Sequence, residues 1–407
     1  MKRVSIVFFF CFLACLLTTA SVVQAGGFAL YEWGNRALGM GTANYATGND
    51  ASVVAYNPAL MTKLEGTNVY GGVTAISPSS DVYIDGNKNQ TASQVFGVPH
   101  GFITHQVSDD WTLGFGMFTR FGLGTKYDEH WDGATLLKEA ELETFSFNPS
   151  AAYKVTDDLS VAGGIEVIKG NFLIRKQFNA AFPDSTFKVD VADTAIGFNM
   201  GLLYDLSDQL SLGLTYRSPV HFEGKGSASV SDAGAFNQSG DVTMTADFPA
   251  SYNVALGYTP FENLTIEFDV LYTQWEQFDR IEFDFSNMAA PVVDTAEDFN
   301  YKSTWRFQLG LEYLMSEMLA LRAGYVYDQT PTRGEYASVM LPANDRQMFT
   351  VGAGYKWDNL LVDVSGMYIV TKERHGMTMT NSAGTSYDVD FEGGKTWAIG
   401  SSIGYTF

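Results

Sequence analysis

From residue 67 onward the chain alternates apolar and polar residues with a period of two. In the last stretch Trp397, Ile399, Ile403, Tyr405 and Phe407 fall on one face, and Thr396, Ala398, Gly400, Ser402, Gly404 and Thr406 on the other. Leu264, Ile266, Phe268, Val270 and Tyr272 alternate with Thr265, Glu267 and Asp269; Leu210, Leu212, Leu214 and Tyr216 alternate with Ser211, Gly213, Thr215 and Arg217. Successive side chains of a strand point to opposite faces, so these runs predict strands with one greasy and one polar or small face. Short polar turns at 108–110, 156–158, 207–209, 260–263, 316–317 and 358–359 separate pairs of runs, as tight hairpins require. Between the hairpins lie seven longer polar segments, near 77–97, 122–140, 171–193, 221–250, 275–301, 329–345 and 372–394. Six turns and seven loops predict fourteen antiparallel strands.

The stretch before residue 67 has another pattern. Asp50 reads as a helix N-cap, Val53, Val54 and Tyr56 share one helical side, and Pro58 biases Asn57 away from helical dihedrals. The expectation is a small, partly helical plug over 26–66, enclosed by a barrel over 67–407.

Composition decides where such a barrel would sit. Lys2 and Arg3, the apolar run Val4 to Leu17 and Val23-Gln24-Ala25 make residues 1–25 a secretory signal peptide. Cys11 and Cys15, the two cysteines of the sequence, lie in it, and Phe12-Leu13-Ala14 matches a lipidation box poorly, so no disulfide or thiol chemistry is expected after cleavage. Loss of two positive charges takes the formal net charge from −21 to −23, which argues against a nucleic-acid partner. No window after the signal is long and apolar enough for a membrane helix, yet 14% of residues are aromatic and 40 are glycine. An exported chain with alternating strands and no helical span points to the outer membrane. A soluble sandwich would turn its polar face outward. Tyr325, Tyr327, Tyr355, Trp357 and Tyr405 at strand ends suit an interfacial girdle, and Phe407 suits recognition by the outer-membrane insertion machinery. Short turns belong on the periplasmic side, which places both termini there.

The residues also resemble the FadL/TodX family of outer-membrane transporters for long-chain fatty acids and other hydrophobic compounds. The resemblance is carried in order by Asn57-Pro58-Ala59-Leu60, Phe121-Gly122-Leu123-Gly124-Thr125, Tyr216-Arg217-Ser218-Pro219 with Phe222-Glu223-Gly224-Lys225-Gly226, Tyr272 to Phe278, Leu341 to Arg346, and Tyr405-Thr406-Phe407. It implies a fourteen-stranded barrel with an N-terminal hatch and passive uptake as a monomer. It also implies a kinked third strand that makes a lateral window, and head-group binding near Arg175, Lys176 and Lys302. Those three also read as interfacial or loop cations. Segment 171–193 is shorter than in the fatty-acid transporting member.

A fatty acid needs an apolar tunnel and a cation for its carboxylate. Phe118, Phe121, Leu123, Leu136 and Leu137 are candidates for an outer hydrophobic groove, with packing between loops as the other reading. Gly114, Gly116, Gly122 and Gly124 crowd the third strand, where glycine permits a kink or makes interior room. Asn57, Pro58 and Ala59, with Asp345 and Arg346, are expected to hold the plug against the wall by hydrogen bonds. His100, His105, His130, His221 and His375 are scattered without metal-ligand spacing, and no nucleophile motif, phosphate loop or basic patch occurs, so neither enzyme activity nor a cofactor is expected. The ligand expected first is a long-chain fatty acid, with an aromatic hydrocarbon second; a general porin and a barrel lipid enzyme are the other classes.

Overall fold

The computed structural model describes residues 27–407. The signal peptide expected at 1–25 lies outside the described residues. Fourteen strands form the wall: β1 (Thr67–Ile84), β2 (Phe96–Gln106), β3 (Trp111–Phe118), β4 (Glu139–Lys154), β5 (Leu159–Lys176), β6 (Thr186–Ser207), β7 (Leu210–Arg217), β8 (Ser251–Phe261), β9 (Leu264–Thr273), β10 (Thr304–Leu314), β11 (Leu319–Asp328), β12 (Arg346–Trp357), β13 (Leu360–Thr371) and β14 (Ser386–Thr406). Each pairs antiparallel with the next, and β14 pairs back onto β1 from Asn68↔Thr406 upward, so the sheet closes. Closure leaves no strand unpaired along its whole length, as a spanning β-structure in lipid demands. The strand count and all six tight turns agree with the period-two pattern.

The alternation resolves into an outer apolar and an inner polar face. Ile165, Ile196, Val351 and Ile399 point away from the barrel axis and are 58–70% exposed, whereas Glu166, Glu267, Asp269 and Asp363 point inward at 0%. That inversion suits a protein whose surrounding solvent is hydrocarbon. Tyr216, Tyr252, Tyr272 and Trp305, one on each of four adjacent strands, run side by side with ring centroids 4.9, 6.4 and 4.7 Å apart and form part of an outer aromatic belt.

The long segments are less loop-like than their polarity suggested. Segment 221–250 contains a hairpin, Val220–Ser231 with Gln238–Phe248, that pairs on one side with the upper end of β6 and on the other with Arg280–Ser286. Segment 171–193 is mostly strand, leaving 177–185 as connection, and short strands also occur at Asn87–Gln90, Gly122–Lys126, Thr295–Asp298 and Arg374–Thr380. The reason is again alternation: Val242, Met244, Ala246 and Phe248 turn inward while Asp241, Thr243, Thr245 and Asp247 turn out. Averaged along the chain, that half-charged pattern looks like a loop.

Residues 27–64 run against the inward faces of strands all around the closed sheet. Leu30 donates to the Arg120 carbonyl beyond β3, Thr62 bonds Ser160 of β5, and Asn57 donates to the Leu202 carbonyl of β6. Arg36 pairs with Glu312 of β10, and Gly41 donates to Thr350 of β12. A segment touching opposite sides of a closed sheet is enclosed by it. Helix α1 is Asn35–Gly39 and α2 is Val53–Tyr56. The cap of α2 is Ser52, with no side-chain cap bond; Asp50 instead accepts from the Ser52 amide one turn earlier. Asn57 ends α2 in extended geometry, as its proline neighbour dictates, and its side chain then caps a 3₁₀ turn over Pro58–Lys63 by accepting from Ala59.

Candidate functional site: an apolar chamber over a polar floor

The loop end of the lumen holds a closely packed apolar chamber whose free cavity is only about 20 Å³, lined wholly by apolar surface. Phe28 of the N-terminal segment sits in its centre. Its ring meets Trp275 and Phe278 edge-on at 4.8 Å each and Phe248 at 5.3 Å, and Phe278 meets Phe299 at 5.0 Å. Such pairs add about 0.5–1.5 kcal/mol each beyond area burial and fix ring positions. Leu142 of β4, Phe172 of β5, Met244 of the hairpin, Leu123 of Gly122–Lys126 and Ile281 of Arg280–Ser286 join Ala246, Met340 and Leu341 in the wall. At one edge Tyr301 faces Thr332 and Arg374. Burial pushes the Tyr301 hydroxyl up, so it stays a neutral donor.

Of the expected ligand contacts, Leu123 lines this chamber. Phe121 flanks it, packed 4.9 Å from Phe248 with the Arg120 guanidinium 4.8 Å over its ring. Phe118 lies deeper, against Trp33 at 5.1 Å. Leu136 and Leu137 belong to the loop behind Trp131, whose indole donates to the Leu137 carbonyl, and neither lines the chamber. The three expected head-group cations are also absent from the lining. Arg175 is held between Glu139 at 2.7 Å and Glu129 at 2.9 Å. Lys176 lies 5.7 Å over the Phe187 ring, and Lys302 is exposed. Burial alone would push the Glu129 carboxyl up, but hydrogen bonds from Lys138 and Arg175 outweigh it and hold Glu129 below the usual range. The guanidinium that stands at the chamber edge is Arg374, which bonds the Thr332 carbonyl at 3.1 Å and Asn344 at 3.4 Å. Among the described residues no carboxylate lies within ion-pair distance of it.

Below the chamber the wall changes character. Descending β4, inward residues run Ala140, Leu142, Thr144, Ser146, Asn148 and Ser150; across from them on β5 and β6, Phe172 and Val191 give way to Glu166 and Asn199. At that level β3 leaves its neighbour. Pairing with β2 stops at Gly101↔Met117, and the strand interrupts at Thr119–Phe121 before Gly122–Lys126 resumes on β4 alone. The interruption turns inward: the Leu30 amide bonds the Arg120 carbonyl at 2.9 Å, Gly122 donates to the Phe28 carbonyl at 2.7 Å, and Trp33 donates to the Thr119 carbonyl at 2.7 Å. Among the described residues the edge of β2 over Phe96–His100 therefore has no strand partner on this side. Arg120 and Arg217 both pair with Glu166, at 3.3 and 2.9 Å, and Arg217 also donates to the Ala55 carbonyl.

The glycines of this region divide in two. A Cβ on Gly114 would strike Met61 and Val54, and one on Gly116 would strike Phe102, so these two make room for the N-terminal segment. Gly122 and Gly124 lie in the strand that follows, and none of the four occupies the interruption itself. Asn57 and Asp345 do not meet either. Asn57 is buried against β6 and Tyr45, whereas Asp345 accepts from Tyr327 and Thr330, and Arg346 pairs with Asp328. The chamber rings at 248, 278 and 299 lie in segments whose average polarity is high; inward alternation signals Phe248 alone, because Phe278 and Phe299 stand in irregular chain.

The description of the family whose model matches residues 16–407 is outer membrane protein transport protein (OMPP1/FadL/TodX). A long-chain fatty acid transport protein of Salmonella typhi is 26% identical over 94% of each chain. The fold is similar to the crystal structure of a Pseudomonas aeruginosa FadL homologue, with TM-score 0.85, 20% identity and coverage of 94% and 100% of the two chains. It is also similar to a Pseudomonas putida toluene transporter, TodX, with TM-score 0.74, 18% identity and coverage of 93% and 99%. The chain therefore belongs to the OMPP1/FadL/TodX family, outer-membrane transport proteins for hydrophobic ligands rather than enzymes.

Proposed function

We propose that the protein takes up long-chain fatty acids by passive diffusion, as a monomer with both termini in the periplasm. Ligand enters the apolar chamber from outside, residues 26–66 act as a hatch, and the ligand leaves sideways through the interruption of β3. The observation that carries this is the coincidence of two boundaries: the lumen turns from apolar to polar at the level where β3 stops pairing with β2. An alkyl chain moving further down would bury itself against Ser146, Asn148 and Asn199, each with an atom that has no hydrogen-bond partner. Such a path is costly, because those groups need water or partners. Membrane hydrocarbon beyond the gap is the favourable destination for the same reason. Unpaired backbone in a membrane wall is itself expensive, so its retention here supports a use.

A fatty acid is favoured over a neutral ligand by Arg374, a half-buried guanidinium at the edge of an otherwise apolar chamber whose acidic neighbour Asp345 lies beyond ion-pair distance. The relative of Salmonella typhi is named for that ligand class. The wholly apolar lining favours an aromatic hydrocarbon as the second reading, the class named for the TodX neighbour. Uptake of oleate and of toluene by cells expressing equal surface amounts of wild type and Arg374→Gln separates them. Loss of oleate uptake alone supports the fatty acid; strong toluene uptake with no oleate uptake in wild type sinks it. Trapping a ligand in the lumen by a disulfide between positions 29 and 121 tests the lateral exit, since the clamp holds β3 to the hatch.

A further inference from the structure

We infer that Asp269 of β9, with the side-chain amide oxygens of Asn253 and Gln308, holds a hard cation inside the barrel at the interface between the wall and the N-terminal segment. The three residues lie on adjacent strands and face inward. Asp269 stands opposite Gln308 on β10 and Ala255 on β8, and Asn253 is the next inward residue of β8. Asp269 and Gln308 are 0% exposed and Asn253 is 2% exposed. Both Asp269 carboxylate oxygens, the Asn253 Oδ1 and the Gln308 Oε1 receive no donor, the Asn253 Nδ2 is also unpartnered, and the Asp269 carboxyl stands beside that of Glu267. The Gln308 orientation is set from elsewhere, because its Nε2 donates to Thr42 Oγ1 at 3.1 Å.

Four unpartnered oxygens on one patch of wall need something positive between them. A buried carboxylate that receives no donor and stands beside a second carboxyl, as Asp269 does beside Glu267, is among the most costly groups a protein can carry. Glu267, two residues along the same face, is already satisfied by the amides of Tyr45, Ala46 and Thr47 and by the Thr47 hydroxyl. Arg306, on the next strand, gives its two terminal nitrogens to Asp328 at 3.3 Å and to Thr42, and its Nε, unpartnered, makes no hydrogen bond to Asp269. Charge over the whole buried interior points the same way. Among the described residues eight buried carboxylates there face six buried guanidiniums, while the one buried lysine, Lys138, sits in an outer loop with Glu129. An oxygen-only set of one carboxylate and two amides suits a hard ion of the alkali or alkaline-earth class and offers nothing to a soft one. Its place beside Glu267 and Thr42 means that the bound ion would help seat residues 42–47 against the wall.

The test uses the folded protein in detergent, stripped with chelator and dialysed into choline chloride. Apparent melting is followed by heat-modifiable gel mobility while sodium, potassium, magnesium or calcium chloride replaces choline at constant ionic strength. The expected result is a saturable rise of about 2 °C or more with at least one ion, absent in Asp269→Asn and reduced in Asn253→Ala. Equilibrium dialysis with radioactive sodium or calcium should then find one ion per wild-type chain and none per D269N chain. Identical melting in choline and in all four salts overturns the site, leaving a proton or water on Asp269. Persistence of the rise in D269N overturns it too, by placing the ion elsewhere. Should D269N not fold, Asn253→Ala and Gln308→Leu carry the same comparison.

Discussion

Asn57→Ala is the substitution that tests the proposed hatch most directly. The side chain is 0% exposed and makes three hydrogen bonds: Nδ2 donates to the Tyr45 carbonyl at 2.7 Å and to the Leu202 carbonyl at 3.0 Å, and Oδ1 accepts from Ala59 at 3.1 Å. At about 1 kcal/mol net per bond, truncation costs about 3 kcal/mol of overall stability. Two of the bonds are internal to the N-terminal segment, and one crosses to the wall. Only the crossing bond biases the seated against the displaced state, so that equilibrium shifts by about 1 kcal/mol, or roughly fivefold. If hatch displacement limits flux, whole-cell oleate uptake at equal surface expression rises by a similar factor, while the heat-modifiable gel transition moves down. Unchanged uptake together with a lowered transition would refute the reasoning, because it would show that the segment can be loosened without opening any path.

Further outcomes are expected elsewhere. Arg374→Gln removes a charge-assisted contact worth about 1.5–3 kcal/mol, so oleate affinity measured by ligand-induced thermal stabilisation falls about tenfold or more while toluene stabilisation is unchanged. Glu267→Gln weakens four bonds to residues 45–47 and lowers stability by about 2 kcal/mol, read by the same gel assay without ligand. Ala29 and Phe121 form an isolated antiparallel bridge, so a cysteine pair at those positions is expected to close in oxidising medium, abolish uptake, and recover it on reduction. Phe278→Ala opens the chamber where four rings meet; it should reduce oleate-induced stabilisation more than it reduces the stability of the unliganded barrel, which is carried mainly by the wall.

What the sequence by itself determined is everything that depends on neighbours along one strand. Period-two alternation at 210–217, 264–273 and 396–407 specified which side chains meet lipid, and six polar turns with seven longer segments specified fourteen strands, because hairpin connectivity is local. Local logic also specified the stop at Asn57 and the turn that follows, since proline constrains the residue before it. The tertiary structure alone decided what faces what across the lumen. Arg175 reads as a free interior cation until Glu129 and Glu139, 46 and 36 positions away, close on it. Phe248, Phe278 and Phe299 read as loop residues until barrel closure turns the first two onto Phe28 and the third onto Phe278. Asn57 packs from the N-terminal segment against β6, whereas Asp345 accepts from Tyr327 and Thr330, so the two do not meet. In a closed barrel the interior partner of a residue is set by shear and strand order over the whole circuit, and no local pattern in the chain encodes that distance.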